Sequence, residues 1–563
     1  MLENSLKSAK TVLTDFDDFI ITDSGISDDG IWIKFTYNEC YLLLTVNNPD
    51  KVYLRKVSVY MLGGKYDSIK LPPHFLRIDE TNKLSYICLL DTEQHILTAY
   101  SLPEVIKLYL DQVRSILSLS NRQIEDEYLK EFEYYWNLGC AQRGKKSERA
   151  EIYLPSSLNA SSLECWHFEK NEKFIIFPEY IKFNEANVPK GTKSSALYIP
   201  IEYPNGIIPP QNNICWGKNE LLDIIYNQVF DRISPDSNAF IKKQKIDNYQ
   251  KVIVFSFFVP NSVTITFSGI LKFNNNDKKD LISKIQEDFK SFTPIKSSRM
   301  DMKYLKERVG LEYSESPAVL LVGCGSVGSY ILPELVNMGI VDIAISDPDE
   351  FVSGNSMRHY LGPRSNGTKK VDDLKFYIEF QNPLVSIKIV SNLLGMNDSE
   401  LKDLVNKYPI VVIATGGTDL QKEFNYRFSK IKNESWFLYN WLDAEGKGAH
   451  ILAMRYANKG CFNCLFYENG KPITYNKVSY ANGSEKVIGN GCGGSFSPYG
   501  NNVLIKNTSL FIATLQNIIN GSITQNTVAS IKNDFSTYEN SVYMVPNIES
   551  NFADEGCDIC GSV

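Results

Sequence analysis

Residues 318–370 read AVLLVGCGSVGSYILPELVNMGIVDIAISDPDEFVSGNSMRHYLGPRSNGTKK. The apolar run Ala318–Val322 has the composition of a buried parallel strand, and it delivers the chain into Gly323, Gly325 and Gly328. Glycines at this spacing let the backbone turn tightly and approach a phosphate, while the following helix directs its positive N-terminus at the anion. Taken alone, Gly-x-Gly-x-x-Gly also fits a tight strand-to-helix turn that holds no ligand.

The residues after the glycines narrow the choice. A second strand, Val341–Ser346, ends in Asp347, at the distance where a ribose-binding carboxylate sits in such folds. Asp347, Asp349, Asn355 and Arg358 follow as D-x-D-x-x-x-x-x-N-x-x-R, and Gly367-Thr-Lys-Lys370 comes a short loop later. An acid for a ribose, an amide and two cations suit a triphosphate whose charge must be offset during attack. This ordered set resembles the adenylation domain of the ubiquitin-activating E1 superfamily, including ThiF- and MoeB-like enzymes. The resemblance implies a Rossmann-like fold, ATP as nucleotide, Asp347 on the ribose, Asn355, Arg358 and Lys370 on the phosphates, and Gly323, Gly325 and Gly328 in the nucleotide-facing turn. Arg358 and Lys370 would then count as catalytic. After the strand Ile410–Ala414 the family carries a Mg²⁺-binding aspartate, whereas this chain reads T-G-G-T-D, so Asp419 stands as the candidate two or three places late.

The whole chain sets the frame. At 563 residues it has room for several domains, each with its own core. A net charge of −7 argues against nucleic acid reached by electrostatics. Apolar residues at 43% and aromatics at 12% indicate a globular, β-containing protein. No apolar run approaches a membrane span and the N-terminus lacks a signal-peptide core, so a cytoplasmic protein is expected.

In a reducing compartment the 11 cysteines mean metal, catalysis or packing. Cys461-x-x-Cys464 and Cys557-x-x-Cys560 are two knuckle pairs, each placing two thiolates on one side of a tight turn, which predicts a structural Cys₄ Zn²⁺ site. Members of the resembled family carry such a zinc. It would staple the end of the chain onto the domain.

Residues 1–145 read as an α+β unit: an N-terminal helical stretch, strand-like segments at Ile31–Tyr37, Cys40–Val46 and Val52–Met61, and a helix at Leu102–Leu117. The meander, a proline-rich crossing with His74, a cysteine in Tyr-Ile-Cys-Leu and the later YLKEFEYYW (Tyr128–Trp136) resemble the ubiquitin-conjugating E2 fold in its divergent prokaryotic forms. Cys88 would be its thioester-carrying nucleophile; the other reading of Cys88 is a buried packing residue. Eukaryotic E2s carry His-Pro-Asn before the cysteine, whose asparagine stabilises the oxyanion. Here Phe75 and Leu76 follow His74, so either His74 is scaffold or the donor differs, with Asn82 a conceivable substitute below its reading as a turn residue.

From 146 to 295 β-like runs at Phe174–Phe177, Ala196–Ile201, Val252–Val259 and Val263–Ile270 describe a spacer domain. Cys165, Trp166, His167, Cys215 and Trp216 fit no metal template and read as core and turn positions. The last domain, 296–563, opens with a charged helix over Met300–Leu311. In E1-like dimers an arginine near this place reaches the partner's nucleotide; Arg299 or Arg308 can do so, though a solvated helix face explains either. Gly470–Asn490 has the composition of a mobile loop. It leads to Cys492 among glycines ahead of a helix over Leu504–Ile519, where a helix N-terminus can lower a thiol's pKa. Cys492 is therefore the candidate E1 thioester cysteine, against a plain turn residue. Cys324 fits as a small residue beneath a phosphate.

The fold class expected is thus α/β and α+β multidomain: E2-like domain, β-rich spacer, ThiF/E1 adenylation domain with a Cys₄ site. This order resembles the E2/E1 fusions associated with CD-NTases in antiphage CBASS operons. That resemblance implies activation of a protein C-terminus, from a CD-NTase or a ubiquitin-like protein, two thioesters, a target amine, and a homodimer through the last domain. The alternatives are a ThiF/MoeB-like adenylyltransferase of a ubiquitin-like or sulfur-carrier protein without E2 transfer, and a non-catalytic nucleotide-binding scaffold.

Overall fold

The computed structural model describes the chain except residues 66–71, 80–83, 90–98, 142–147, 156–158, 182–190, 202–206, 208, 210–215, 226–234, 259–263, 312–315, 432, 482, 484, 486–487, 490–494, 534–546, 550 and 562–563. The described residues divide into two compact units, Met1–Pro178 with Gly191–Met300, and Glu179–Lys190 with Asp301–Val563. Together they make a mixed α/β, multidomain protein. No helix of the described residues is long and apolar enough to cross a membrane.

The first unit opens with the helix Leu2–Thr14 and a six-stranded antiparallel sheet. Alternation decides which face is inside: Ile31, Ile33 and Phe35, with Leu42, Leu44 and Val46 on the next strand, are buried. They meet the helices Leu2–Thr14 and Leu102–Leu117 in one core. The strand expected over Val52–Met61 begins only at Lys56. Lys51 N and Leu54 N bond back to the Asn48 and Lys51 carbonyls, so Val52, Tyr53 and Leu54 form an exposed turn.

Beyond it lies a closed seven-stranded barrel running from Arg149 to Arg299. Residues from every strand, among them Ile152, Cys165, Ile176, Tyr198, Val254, Ile270 and Ile295, fill its interior. The opposite faces of several strands pack under helices, with Phe132 and Trp136 from the helix Phe132–Ala141 and Trp216 at the centre. Trp136 Nε1 donates to the Ile295 carbonyl at 2.9 Å, which satisfies its buried N–H. Cys165 and Trp216 are thus core residues, while Cys215 lies outside the described residues. Arg299 is buried at the end of the last barrel strand and donates to the Thr264 carbonyl at 3.1 Å, so it is not on a solvated helix; Arg308 is exposed, on the helix Met302–Arg308.

The second unit is built on an eight-stranded sheet. Five strands run parallel in the spatial order Ser386–Ile389, Asp342–Ser346, Val319–Val322, Ile410–Ile413, Trp436–Leu442. Gly448–Met454, Thr527–Lys532 and Asn547–Glu549 extend it antiparallel. The parallel strands read as continuous apolar runs because both faces are covered, one by the helices Ser326–Asn337 and Asn501–Ile519 and the other by Thr418–Ser429. The strand order reverses between Val319–Val322 and Ile410–Ile413, and in such sheets that crevice receives ligands.

Candidate functional site

The chain leaves the central strand through the three glycines at this crevice. Gly323 has φ +93°, and a Cβ there would fall 2.7 Å from the Ala414 carbonyl of the neighbouring strand; one on Gly328 would fall 1.9 Å from the Gly323 carbonyl oxygen. Both positions therefore exclude side chains because backbone meets backbone. At Gly325 a Cβ would meet nothing within 4 Å. Gly325 is also the N-cap of the helix Ser326–Asn337, so open space lies where the helix presents its first amides.

Asp347 closes one side. Its Oδ2 accepts from Cys324 N at 2.7 Å and its Oδ1 from Asp349 N at 2.8 Å, so the carboxylate is oriented by two backbone donors. The loop after it folds back: Phe351 N donates to the Thr368 carbonyl and Gly367 N to the Phe351 carbonyl. This return brings Lys370, at the start of the helix Lys370–Gln381, to Asp347. Lys370 Nζ lies 2.9 Å from Asp349 Oδ2 and 3.9 Å from Asp347 Oδ1, with only 7% of its side chain exposed against 67% for Asp349. Asp347 and Asp349 thus hold the Lys370 side chain in place beside the turn. Asn355 uses its Oδ1 to accept from Val352 N at 3.1 Å, and Asn355 O accepts from Arg358 N at 2.9 Å. The Arg358 guanidinium lies over the Tyr499 ring, 5.6 Å from its centroid. Asp419 is exposed in the first turn of the helix Thr418–Ser429, just after Gly416, whose φ is +74°.

Sequence reasoning passed over His359. It is buried, its Nε2 bonds the Cys324 carbonyl at 2.8 Å, and its Nδ1 accepts from Leu361 N at 3.1 Å. Those partners fix the neutral tautomer with the proton on Nε2. Burial holds its pKa below the ordinary histidine value, helped by Lys370 and opposed by the bond to Cys324 and by Asp347. Cys324 itself is fully buried, and desolvation pushes its thiol well up, beneath the turn.

A second missed group is Asp443–His450. Asp443 Oδ2 lies 2.8 Å from His450 Nε2 and accepts from Tyr480 N at 2.7 Å, while Ser479 Oγ donates to its Oδ1 at 2.8 Å. His450 is fully buried between Trp441 and Tyr480 and touches Ser530 Oγ at 2.8 Å through Nδ1. On the exit side, Glu445 N donates to Ser497 Oγ at 2.6 Å. Within the expected mobile loop over Gly470–Asn490, the described residues Ser479 and Tyr480 are bonded to Asp443, and Lys477 Nζ donates to the Phe552 carbonyl at 2.7 Å; 482, 484, 486–487 and 490 lie outside the described residues. Cys492 lies outside the described residues, as does Asn82. The helix expected from Leu504 begins at Asn501, after an N-cap at Gly500.

The sulfur atoms of Cys461, Cys464, Cys557 and Cys560 all lie within 4.8 Å of one another. Cys461 and Cys557 are 3.6 Å apart and Cys464 and Cys560 3.3 Å, too far for a disulfide. They approach the roughly 3.8 Å edge of a tetrahedron built from Zn–S bonds of about 2.3 Å. Asn425 Nδ2 donates to Cys461 Sγ and Cys461 N to Cys464 Sγ, both at 3.5 Å, as suits thiolates. The donor set thus fits a four-coordinate zinc with no open position.

In the first unit, Cys88 is exposed, so it is not a packing residue. Its N–H donates to the His74 carbonyl at 2.8 Å. His74 has φ +71°, gives its own N–H to the Tyr135 hydroxyl, and holds its imidazole between Glu127 at 3.7 Å and Glu131 at 3.6 Å. Those contacts tie the His74 backbone to Tyr135 and Cys88 and its ring to Glu127 and Glu131. Burial raises the Tyr86, Tyr109 and Tyr134 hydroxyl pKa values, that of Tyr109 to about 12, and the Cys88 thiolate adds to each shift.

Comparison with known proteins follows the same division. The ThiF family model matches residues 301–554. The chain is 29% identical over 162 residues to the ATP-dependent ubiquitin transferase-like protein Cap2 of Enterobacter hormaechei, 28% of this chain and 24% of that protein. It is 23% identical over 242 residues to the Cap2 protein of Pseudomonas aeruginosa, 41% of this chain and 42% of that one. An uncharacterized Sinorhizobium fredii protein, y4qC, is 26% identical over 164 residues, 27% of each chain. The match therefore spans about a quarter of the length of the first curated relatives. Among solved structures, E. coli MccB with AMPCPP and MccA aligns at TM-score 0.33 and 17% identity, over 44% of this chain and 67% of that one. The chain carries a ThiF family domain over residues 301–554 and is related, through part of its length, to the ATP-dependent ubiquitin transferase-like proteins.

Proposed function

We propose that this protein uses ATP to activate the C-terminal carboxylate of a protein partner and passes the acyl group through two cysteines to an amine. The observation that carries the reading is the meeting of Lys370 with Asp347 and Asp349 beside the open Gly325 turn. A carboxylate oxygen of the partner attacks the α-phosphorus, the bond to the β-phosphate bridge breaks, and pyrophosphate leaves. Asp347 holds the ribose, Asn355 orients the phosphates, and Arg358 and Lys370 offset the charge that grows on them. Mg²⁺, when bound, screens the same phosphates, with Asp419 the residue suited to hold it. The Cys492 thiolate then attacks the acyl carbon and AMP leaves. The Cys88 thiolate displaces Cys492, and a target amine finally displaces Cys88, losing a proton to solvent. One thioester replacing another is nearly isoenergetic, so proximity rather than driving force governs that exchange.

The E2-like reading of residues 1–145 is supported by the helix-backed antiparallel sheet and by exposed Cys88. The barrel acts as spacer, its last strand running to Arg299 and so past the boundary expected at 295, and the chain from Asp301 acts as the activating domain. Zn²⁺ on Cys461, Cys464, Cys557 and Cys560 staples the chain end to it. A homodimer through that domain belongs to the same proposal, with Phe376, Tyr377 and Phe380 as apolar surface available to bury. The likeness to CBASS proteins points to antiphage defence and a CD-NTase as the activated partner, with a ubiquitin-like protein as the other candidate.

The test is a non-reducing gel of the full chain with ATP and each candidate partner. Two thiol-labile adducts are expected, one lost in Cys88→Ala and both lost in Cys492→Ala. A pattern unchanged in Cys88→Ala leaves adenylation without E2 transfer, and absence of ATP-dependent adducts with every candidate overturns the relay.

A further inference from the structure

We infer that Tyr499 is a positioning residue for Arg358, holding in place the guanidinium that the proposed function assigns to the phosphates. The inference rests on the nucleotide reading of the crevice. Arg358 lies over the Tyr499 ring, 5.6 Å from its centroid, within the range where an aromatic face attracts a cation. An arginine has many rotamers, and a guanidinium that must meet a phosphate gains from being held beforehand. A ring face attracts the cation as a whole and restricts its rotamers without itself accepting a guanidinium hydrogen bond.

Tyr499 is itself held from below. Gly446 has φ +65°, and a Cβ there would come 3.2 Å from Tyr499 Cβ and 2.8 Å from Val503 Cγ2, so this turn lies directly against both residues. The turn is pinned by Asn533, whose Nδ2 donates to the Gly446 carbonyl at 2.9 Å and whose N donates to the Lys447 carbonyl at 2.8 Å. Two residues before Tyr499, Ser497 Oγ accepts from Glu445 N at 2.6 Å. After Gly500 comes the helix Asn501–Ile519, which shares a core with Ser326–Asn337, the helix that starts at the glycine turn. The ring under Arg358 therefore has a fixed place relative to the amides that would face a phosphate.

The test is calorimetric titration of the full chain with Mg·ATP, using wild type, Tyr499→Phe, Tyr499→Leu, Arg358→Ala and the double variant Arg358→Ala/Tyr499→Leu. Tyr499→Leu should bind about three- to tenfold more weakly, the scale of one cation–ring contact, and Tyr499→Phe should bind like wild type because the face is kept. In the Arg358→Ala background Tyr499→Leu should cost nothing further. Additive losses, an equal loss in the Phe and Leu variants, or wild-type affinity in Tyr499→Leu each overturn the assignment. Thermal midpoints of the same proteins separate a folding defect, which would lower Phe and Leu variants alike and also count against it. A wild-type chain that does not bind ATP overturns the parent reading, and this one with it.

Discussion

The imidazole of His359 and the carbonyl of Cys324 are 2.8 Å apart, and that bond holds the floor of the glycine turn in place. The other ring nitrogen accepts the Leu361 amide, so one neutral side chain joins the turn to the loop bearing Asn355 and Arg358.

Removing that ring should therefore be costly. In His359→Ala the Cys324 carbonyl and the Leu361 amide lose their partner inside the protein, at about 2–3 kcal/mol of unfolding free energy by urea denaturation. His359→Gln, whose amide can reach toward the Cys324 carbonyl, should recover part of it. The pH dependence has a definite sign. Because burial lowers the folded pKa from the ordinary histidine value of 6.5, the unfolded chain binds more protons just below that value. The His359 contribution is full above it and is lost as pH falls toward the folded pKa. In His359→Gln this component of the acid-side slope should vanish.

The nucleotide half was legible because its rules are local. A glycine is demanded wherever a Cβ would strike backbone, as at Gly323 and Gly328, and such positions stand at fixed spacing after an apolar strand. The cysteine pairs were legible for the same reason, each pair sharing one tight turn. His359 obeys no period and no motif, and its partners come from a carbonyl 35 residues earlier. Asp443 and His450 belong together only because the hairpin register sets Leu442 against Ala449 and Trp441 against His450. Pairing those two strands on paper would have found them. Barrel closure was illegible: the strand Arg149–Ile152 pairs in parallel with Phe289–Arg299 across most of the unit, a contact that no local pattern announces.

Thiol reactivity should separate Cys88 from the other described cysteines. Cys88 is exposed, whereas Cys40, Cys140, Cys165 and Cys324 are buried, and burial pushes the Cys165 thiol up to about 11. Brief iodoacetamide treatment of the native chain followed by peptide mapping should label Cys88 first, at least tenfold faster than those four, roughly in line with access and thiolate fraction. Labelling of Cys165 or Cys324 at the rate of Cys88 would contradict the burial described.

The cysteine cluster predicts one zinc per chain. Cys461→Ser should lower bound metal well below one equivalent by elemental analysis and reduce the thermal midpoint, since structural zinc contributes directly to folding. Cys88→Ser should retain both. Full metal content in Cys461→Ser would remove that residue from the ligand set.

The Asp443–His450 pair predicts an acid-sensitive support. Burial alone would raise the Asp443 pKa, but the bond to His450, with Ser479 and Tyr480, holds it below the ordinary carboxylate value. Its contribution is thus present above about pH 4 and lost as pH falls through the lowered folded pKa. Asp443→Ala should cost about 3 kcal/mol in urea unfolding, because His450, Ser479 and the Tyr480 amide lose their acceptor together. A loss under 1 kcal/mol would mean the network is not what holds the Ser479–Tyr480 entry.

Lys370 is the sharpest test of the catalytic reading. Its ammonium is enclosed and aimed by Asp349 at 2.9 Å, and charge that develops on the transferring phosphates is where such a cation acts. Lys370→Ala should lower kcat for ATP-dependent adduct formation about a hundredfold, the scale of losing one preorganised charge donor, while KM for ATP changes much less. Asp349→Ala should be milder, since Asp347 still lies 3.9 Å from the ammonium and Asp349 is largely in solvent. If Lys370→Ala instead raises KM at unchanged kcat, the lysine serves binding of the nucleotide ground state and the charge-compensation role assigned to it is wrong.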